Sequence, residues 1–351
     1  MSSEETSSDG STRSPAGVVR LRDVALRAGC SVATASRVLN GNNKVGKAER
    51  ERVLAAATQL GYVPNSSARA LRSQSTRLVG AIIPTLDHAI YAKMVDGLQE
   101  QLSALGMSLI INTSEYDLER EKTQARILVG RGVESIVLVG TEHDPDTTRY
   151  LRDAGVRQIY TYTCVVDGGD AAVGFDNSAA GRMIANYLRD LNHERIAMIA
   201  GVTKGNDRAR LRRDGFLEGL EASGLSAQDV FVIEAPYKIE NGIHAMQSLM
   251  QTYPRPTAVF CGSDILAAGA VKYCNSHGIR IPGDVSIVGF DDLEIAELVD
   301  PSLTTVHVPA KQMGEHAARM LSKTLSEKSG HDVHELQTRL IVRESTGPAP
   351  A

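Results

Sequence analysis

Between Arg22 and Ala28 the apolar residues Val24, Ala25 and Ala28 fall on one helical face, and Gly29 stops the pattern. A three-residue turn follows. Ser31 then suits the N-cap of a second helix, VATASRVL, whose Val32, Ala35, Val38 and Leu39 recur at helical spacing before Asn40-Gly41 ends it. Two short helices around a tight glycine-containing turn form a helix-turn-helix. A third helix over Lys47–Leu60 closes this small core with Val53, Leu54, Ala57 and Leu60. Pro64-Asn65 ends its exit, and Asn65 can cap a brief helix, SSARAL, ahead of the polar stretch RSQSTR. Isolated helices shorter than ~12–15 residues are marginal in water, so this one should not be stable alone.

From Leu78 the pattern changes. Apolar strands alternate with amphipathic helices: LVGAII, SLIINT, SIVLV and QIYTY, then RIAMIA, VFVIEA, AVFCG and VSIVGF. Such alternation predicts parallel sheets covered on both faces. A break near AVGFDN (172–177) divides the strands into two similar lobes, and the late segments LTTVHV and LIVRES look like crossings back. The polar stretch SEKSGHDVHELQTR carries no pattern beyond a surface connection.

Charge separates the same two regions. The 351 residues carry a net charge of −4, yet Val18 to Arg77 holds eleven Lys/Arg against three Asp/Glu. A compact basic segment on an acidic body is the footprint of a nucleic-acid module, because neutralising phosphates supplies most sequence-independent affinity. In the second helix the outward residues near the start are Ala33, Thr34, Ser36 and Arg37. Arg37 can reach a guanine edge or a phosphate, while Val32 and Ala33 offer only apolar contact, for example to a thymine methyl. Gly41–Lys47 (GNNKVGK) matches part of a phosphate-binding loop, but Ala48 stands where Ser or Thr must hold magnesium, and no strand precedes it.

The body has its own candidates. Ligands of open α/β sheets gather beyond the carboxyl ends of strands, which selects Thr85, Leu86, Tyr162, Ser263, Asp264, Asp291 and Asp292. Arg208, Arg210, Arg212 and Arg213 cluster after another strand. Carboxylates and guanidinium forks suit polyols or sugar acids, whose paired hydroxyls satisfy both groups, and the arginine-rich loop favours an anionic ligand. No nucleophile elbow, HExxH motif or metal-ligand spacing is found among the histidines and four cysteines, so neither enzyme activity nor a cofactor is expected. No apolar run is long enough to cross a bilayer, and the polar opening MSSEETSSDGSTRSPAG lacks the features of an export signal, which predicts a cytoplasmic protein.

The order RDVALRAGCSVATASRVLNG, then GYVPNSSARALRSQSTRLVG, resembles the LacI/GalR family of bacterial transcriptional regulators, and the likeness runs from about Val18 to Glu344. It implies an N-terminal helix-turn-helix headpiece with a hinge helix, followed by a two-lobed periplasmic-binding-protein-like α/β core of parallel sheets. The expected boundaries are a tail over 1–17, the DNA-binding domain over 18–63, the hinge over 64–77 and the core over 78–351. Within the core, one lobe takes 78–174 and 307–333 and the other 175–306 and 334–347. Arg22, Ser31, Asn40 and Asn65 join the DNA-facing set by the same resemblance, with Ala68 and Leu71 in the minor groove, Leu71 wedged between base steps and Arg69 beside the backbone. Val32-Ala33 resembles the base-reading pair of galactose-type members.

The motifs R-x-x-GF and GFDD carry over Arg212 and Asp291 as ligand contacts. The resemblance places Ser263 with them, Ile90 and Tyr91 over the ligand, and Asp176 near the cleft, while Asp264 is expected only to cap its helix. Tyr162 and Ser263 depart from the lactose-responsive member, which has an acid and an amide there, so effector identity is not transferable. The implied partners are a near-palindromic double-stranded operator, a sugar, sugar acid or sugar phosphate, and a second copy of the chain, as a dimer or tetramer. The alternatives are a regulator with a protein co-effector, as in the family's catabolite-control branch, and a periplasmic solute-binding protein, against which the headpiece argues.

Overall fold

The computed structural model describes residues 19–39, 45–63, 75–164, 171–323 and 332–350. The chain divides into two compact units, Met1–Thr76 and Arg77–Ala351.

In the first unit, α1 (Leu21–Ala28), α2 (Val32–Leu39) and α3 (Lys47–Leu60) pack around Val24, Ala25, Ala28, Ala35, Val38, Val53, Ala56 and Ala57. Gly29 takes the left-handed conformation that ends α1, and the following amide closes back on Ala25 O at 3.0 Å. Ser31 Oγ accepts the Thr34 amide at 3.1 Å, the N-cap bond that starts α2. Two expectations need correction. Leu54 is 47% exposed, and Ala56 takes the inward place, because the buried stripe of α3 runs through 53, 56, 57 and 60, about 100° from position 54. Ser36 is buried rather than outward, since it flanks the Ala35–Val38 face and is small enough to be covered.

The second unit holds two parallel sheets. The first runs β11-β5-β4-β3-β1-β2, built from β1 (Leu78–Ile83), β2 (Ser108–Thr113), β3 (Ser135–Val139), β4 (Arg157–Thr161), β5 (Ala171–Gly174) and β11 (Val333–Glu335). The second runs β7-β6-β8-β9, built from β6 (Ile196–Gly201), β7 (Phe231–Ala235), β8 (Ala258–Cys261) and β9 (Ser286–Val288). β3 and β6 are buried at every residue, as strands covered by helices on both faces must be.

The chain crosses between lobes three times. It leaves the first lobe after β5 into α7 (Asn177–Asp190), returns after β10 (Thr305–His307) into α12 (Ala310–Lys323), and leaves again after β11. α12 packs on α4 (Ala89–Ala104) of the first lobe, and β12 (Arg339–Ile341) pairs antiparallel with β10. β11 lies inside the polar stretch read as a bare connection. Its side chains are exposed, so no apolar alternation marks it; backbone bonds hold it, with Ala172 N donating to Asp332 O at 3.1 Å, and the His334 ring stacks on His316 with centroids 4.4 Å apart.

Candidate functional site

On the headpiece, Arg22, Ser31, Val32, Ala33 and Arg37 are exposed and Thr34 is half-buried, so the start of α2 offers one long basic side chain among small ones. Such a surface admits close approach of the backbone to a groove. Asn40, Asn65, Ala68, Arg69 and Leu71 lie outside the described residues.

The second unit has a cavity at the carboxyl ends of strands from both sheets, where parallel α/β folds collect ligands. Ile90, Tyr91, Tyr162, Arg208, Arg212, Ser263 and Asp291 all line it. Thr85 lies further out, at an adjoining chamber, and its hydroxyl accepts the Asp87 amide at 3.0 Å. Asp176 does not line the cavity; it caps α7 through the Ala179 amide at 2.9 Å and lies 3.6 Å from Arg182. Sequence reasoning missed His88, Tyr116, Phe175, Asn206 and Tyr237. Tyr116 and Tyr237 follow the carboxyl ends of β2 and β7, so the rule that selected Tyr162 covers them as well.

Arg212 lies with its guanidinium carbon 3.5 Å from the centre of the Phe290 ring, donating to Gly262 O at 2.6 Å and Asn177 Oδ1 at 3.0 Å. Its buried Nε has no hydrogen-bond partner among the described residues. Asp291 adopts φ 108° and is anchored by its amide to Val306 O at 2.9 Å. Burial pushes its carboxyl up to about 8, with Arg212 pulling the other way.

The expectation for Asp264 is also corrected. Ser263 is the cap of α10 (Asp264–Ser276), accepting the Leu266 amide at 3.3 Å, because the hydroxyl one residue earlier has the extended backbone a cap needs. Asp264 is fully buried, accepts Leu293 N at 2.7 Å and Thr305 Oγ1 at 2.6 Å, and burial pushes it up to about 7. It therefore braces the turn that presents Asp291.

Aromatic side chains wall the rest. Tyr91 and Tyr116 hydroxyls approach to 3.3 Å, Tyr162 donates to Ile90 O at 2.8 Å, and His88 meets Tyr237 edge-on with centroids 5.2 Å apart. Burial depresses the His88 pKa, which keeps the imidazole neutral at pH 7.

The start of α8 (Asp207–Ala222) clasps the opposite lobe. Asp207 accepts the Thr141 amide at 2.8 Å and hydroxyl at 3.0 Å, Arg208 donates to Val139 O at 2.9 Å, and Arg210 meets Glu142 at 2.7 Å. Gly140 lies in this clasp at φ +83°, and an added Cβ would run into Arg208 Nη1 and Asp207 Oδ1. The arginine cluster thus departs from its sequence reading: Arg208 is paired with Asp207 at 2.6 Å and Arg213 with Glu234 at 3.0 Å. Internal carboxylates pair with Arg208, Arg210 and Arg213, while Arg212 has no carboxylate ion pair among the described residues.

Comparison with known proteins agrees with this architecture. Residues 20–65 match the model of bacterial regulatory proteins, lacI family, and residues 185–346 match the periplasmic binding protein-like domain. The HTH-type transcriptional repressor PurR of Salmonella newport is 31% identical over 337 residues, covering 94% of this chain and 97% of that protein. A LacI-family regulator from Silicibacter pomeroyi superimposes with a TM-score of 0.83 at 28% identity, over 93% of this chain and 99% of the other. The Lac repressor dimer bound to operator and the anti-inducer ONPF gives 0.84 at 25% identity, over 94% of this chain and 100% of that one. The regulator CelR in complex with cellobiose gives 0.70 at 31% identity, over 93% of this chain and 99% of that one.

The chain belongs to the LacI family of bacterial regulatory proteins: it is a DNA-binding transcriptional regulator with a helix-turn-helix headpiece and a periplasmic-binding-protein-like body. No helix among the described residues is long and apolar enough to cross a membrane.

Proposed function

We propose that this protein is a cytoplasmic repressor of carbohydrate genes without enzymatic activity, binding a near-palindromic operator as a homodimer and controlled by a neutral, polyhydroxylated effector between its lobes. In this reading residues 18–63 bind the operator, 64–77 form the hinge and 78–351 sense and dimerise. One observation carries the effector class: Arg212 and Asp291 share a cavity with aromatic walls, while the neighbouring arginines are neutralised by protein carboxylates. Vicinal hydroxyls can accept from the guanidinium and exchange hydrogen bonds with the Asp291 carboxyl, which burial favours in its protonated form, and the apolar faces of a sugar ring pack against Tyr91, Tyr162 and Phe175.

The mechanism follows from the clasp. The cavity is lined from both lobes, which α8 and residues 139–142 tie together, so a ligand that changes the lobe spacing loads the clasp. Ligand and operator are then coupled through the lobe arrangement, since an effector shifts an equilibrium only by its differential affinity for the two states. Thermal-shift measurements with neutral sugars and the matching sugar phosphates test the class. Stabilisation by a neutral sugar is expected, and a preference for the phosphates would overturn it.

A further inference from the structure

The second sheet has two ends. Its carboxyl ends face the cavity of Arg212 and Asp291, and its amino ends carry a separate groove of about 400 Å³ that shares no lining residue with that cavity. The floor of the groove is apolar: Val230 and Phe231 lead into and open β7, and Pro254 and Pro256 lead into β8. β7 is an edge strand, and Phe231 stands at its start 51% exposed. Tyr253, beside Pro254, is 96% exposed, the highest value among the large apolar side chains of the described residues. A single exposed apolar residue is ordinary, but two aromatic rings beside a proline-lined groove form a patch, and such patches mark interaction sites.

The backbone beneath the patch is fixed. Thr257 N donates to Arg195 O at 2.7 Å and Arg195 Nε to Arg255 O at 3.1 Å, which ties the start of β6 to the Pro254–Pro256 turn. The face is therefore preformed, and docking on it costs little ordering.

Charge says what covers it. Glu194, Arg195 and Asp229 line the groove and Arg255 stands between its two prolines; all four are exposed, and none forms an ion pair among the described residues. Elsewhere on this lobe Arg182, Arg213, Arg280 and Arg343 all meet carboxylates. A partner of one sign would satisfy two of the four unpaired groups and oppose the other two. A second copy turned about a two-fold axis brings the same two acids and two arginines, and can pair all four. We infer that this groove is a self-docking face: it closes on the same groove of a second copy, with Phe231 and Tyr253 buried at the centre and the acids of each copy against the arginines of the other.

This contact is distinct from one that sets two headpieces on a single operator. Arg77, where the chain enters the second unit, precedes β1 at the amino end of the first sheet, and the cavity lies between that end and the groove. Two bodies joined at their grooves hold their Arg77 ends at opposite extremes, so the contact joins one homodimer to another and gives a tetramer. The homodimer reading above supplies the other interface.

The test is sedimentation velocity of the purified full-length protein over a wide range of concentrations. The parent should populate a tetramer. Phe231→Ala combined with Tyr253→Ala should weaken tetramer formation at least about tenfold and leave a dimer. Glu194→Arg with Asp229→Arg makes the face wholly positive, and Arg195→Glu with Arg255→Glu makes it wholly negative; each protein alone should stop at the dimer, and an equimolar mixture should recover tetramers. A parent that remains a dimer at every concentration assigns the groove to a different partner and overturns the inference. Tetramers that survive the aromatic truncation or either charge reversal overturn it too, as does a mixture that stays dimeric. A monomeric parent overturns the homodimer reading as well.

Discussion

Asp264→Asn isolates one buried carboxyl without removing its contacts. The side chain is fully buried, with one oxygen taking the Leu293 amide at 2.7 Å and the other the Thr305 hydroxyl at 2.6 Å. Asparagine can keep both bonds, its carbonyl accepting from Leu293 and its amide donating to the Thr305 oxygen. What disappears is the proton equilibrium. Burial raises this carboxyl from 3.8 to about 7 in the folded protein, so its stabilising contribution is complete below about pH 4 and is lost as pH rises through 7. Relative to the parent, Asp264→Asn should therefore gain about 1.4 kcal/mol per pH unit across that window, up to about 4 kcal/mol in all. Urea denaturation at fixed protein concentration and ionic strength, in steps from about pH 5 to pH 8, reads the difference directly. Contributions from His88 and His193 are common to both proteins and cancel, while that of Asp291, which the Asp264 charge helps to raise, falls in the variant. Parallel stability profiles for the two proteins would refute the reasoning. Asp264→Ala is the companion: two buried donors lose their acceptor at about 1–3 kcal/mol each.

Further expectations follow from other residues. Arg212→Ala should abolish the effector response in a gel-shift assay while sparing operator binding, and a normal response would remove Arg212 from the sensor. Gly140→Ala places a Cβ against Arg208 and Asp207 in a left-handed position costing about 1–2 kcal/mol, so the lobes should part and small-angle scattering should show a larger radius of gyration. An unchanged profile would mean the clasp does not set lobe closure. Arg37→Ala should weaken operator binding and make its salt dependence shallower by about one unit, measured by fluorescence anisotropy across salt concentrations. An unaltered slope would place Arg37 off the phosphate backbone.

The sequence was most legible where one physical pattern dominated. Fully buried parallel strands such as β3 and β6 are continuous apolar runs, and the caps of α1 and α2 are spelled out by Gly29 and Ser31. The edge strand β11 was illegible, because its contribution is made by backbone groups that any side chain can accompany. Site chemistry divided similarly. Strand-end position points to Tyr162, Ser263 and Asp291, and in equal measure to Tyr116 and Tyr237, which a stricter use of the rule would have included. At the arginine cluster Asp207 pairs with Arg208 beside it in sequence, whereas Glu142 and Glu234 reach Arg210 and Arg213 from other loops, and only the three-dimensional arrangement brings those two there. Ser263 took over the capping expected of Asp264 for a local reason, since capping depends on which residue has the extended backbone.

The measurement closest to the centre of this account selects duplexes from a random pool with the full-length protein at fixed salt, then titrates the winning duplex with neutral sugars while anisotropy is followed. The account predicts recovery of a near-palindromic site and a change in its affinity on addition of a sugar, with the change absent in Arg212→Ala. Retention of no duplex above the random pool, or an affinity that every sugar leaves untouched, would contradict it.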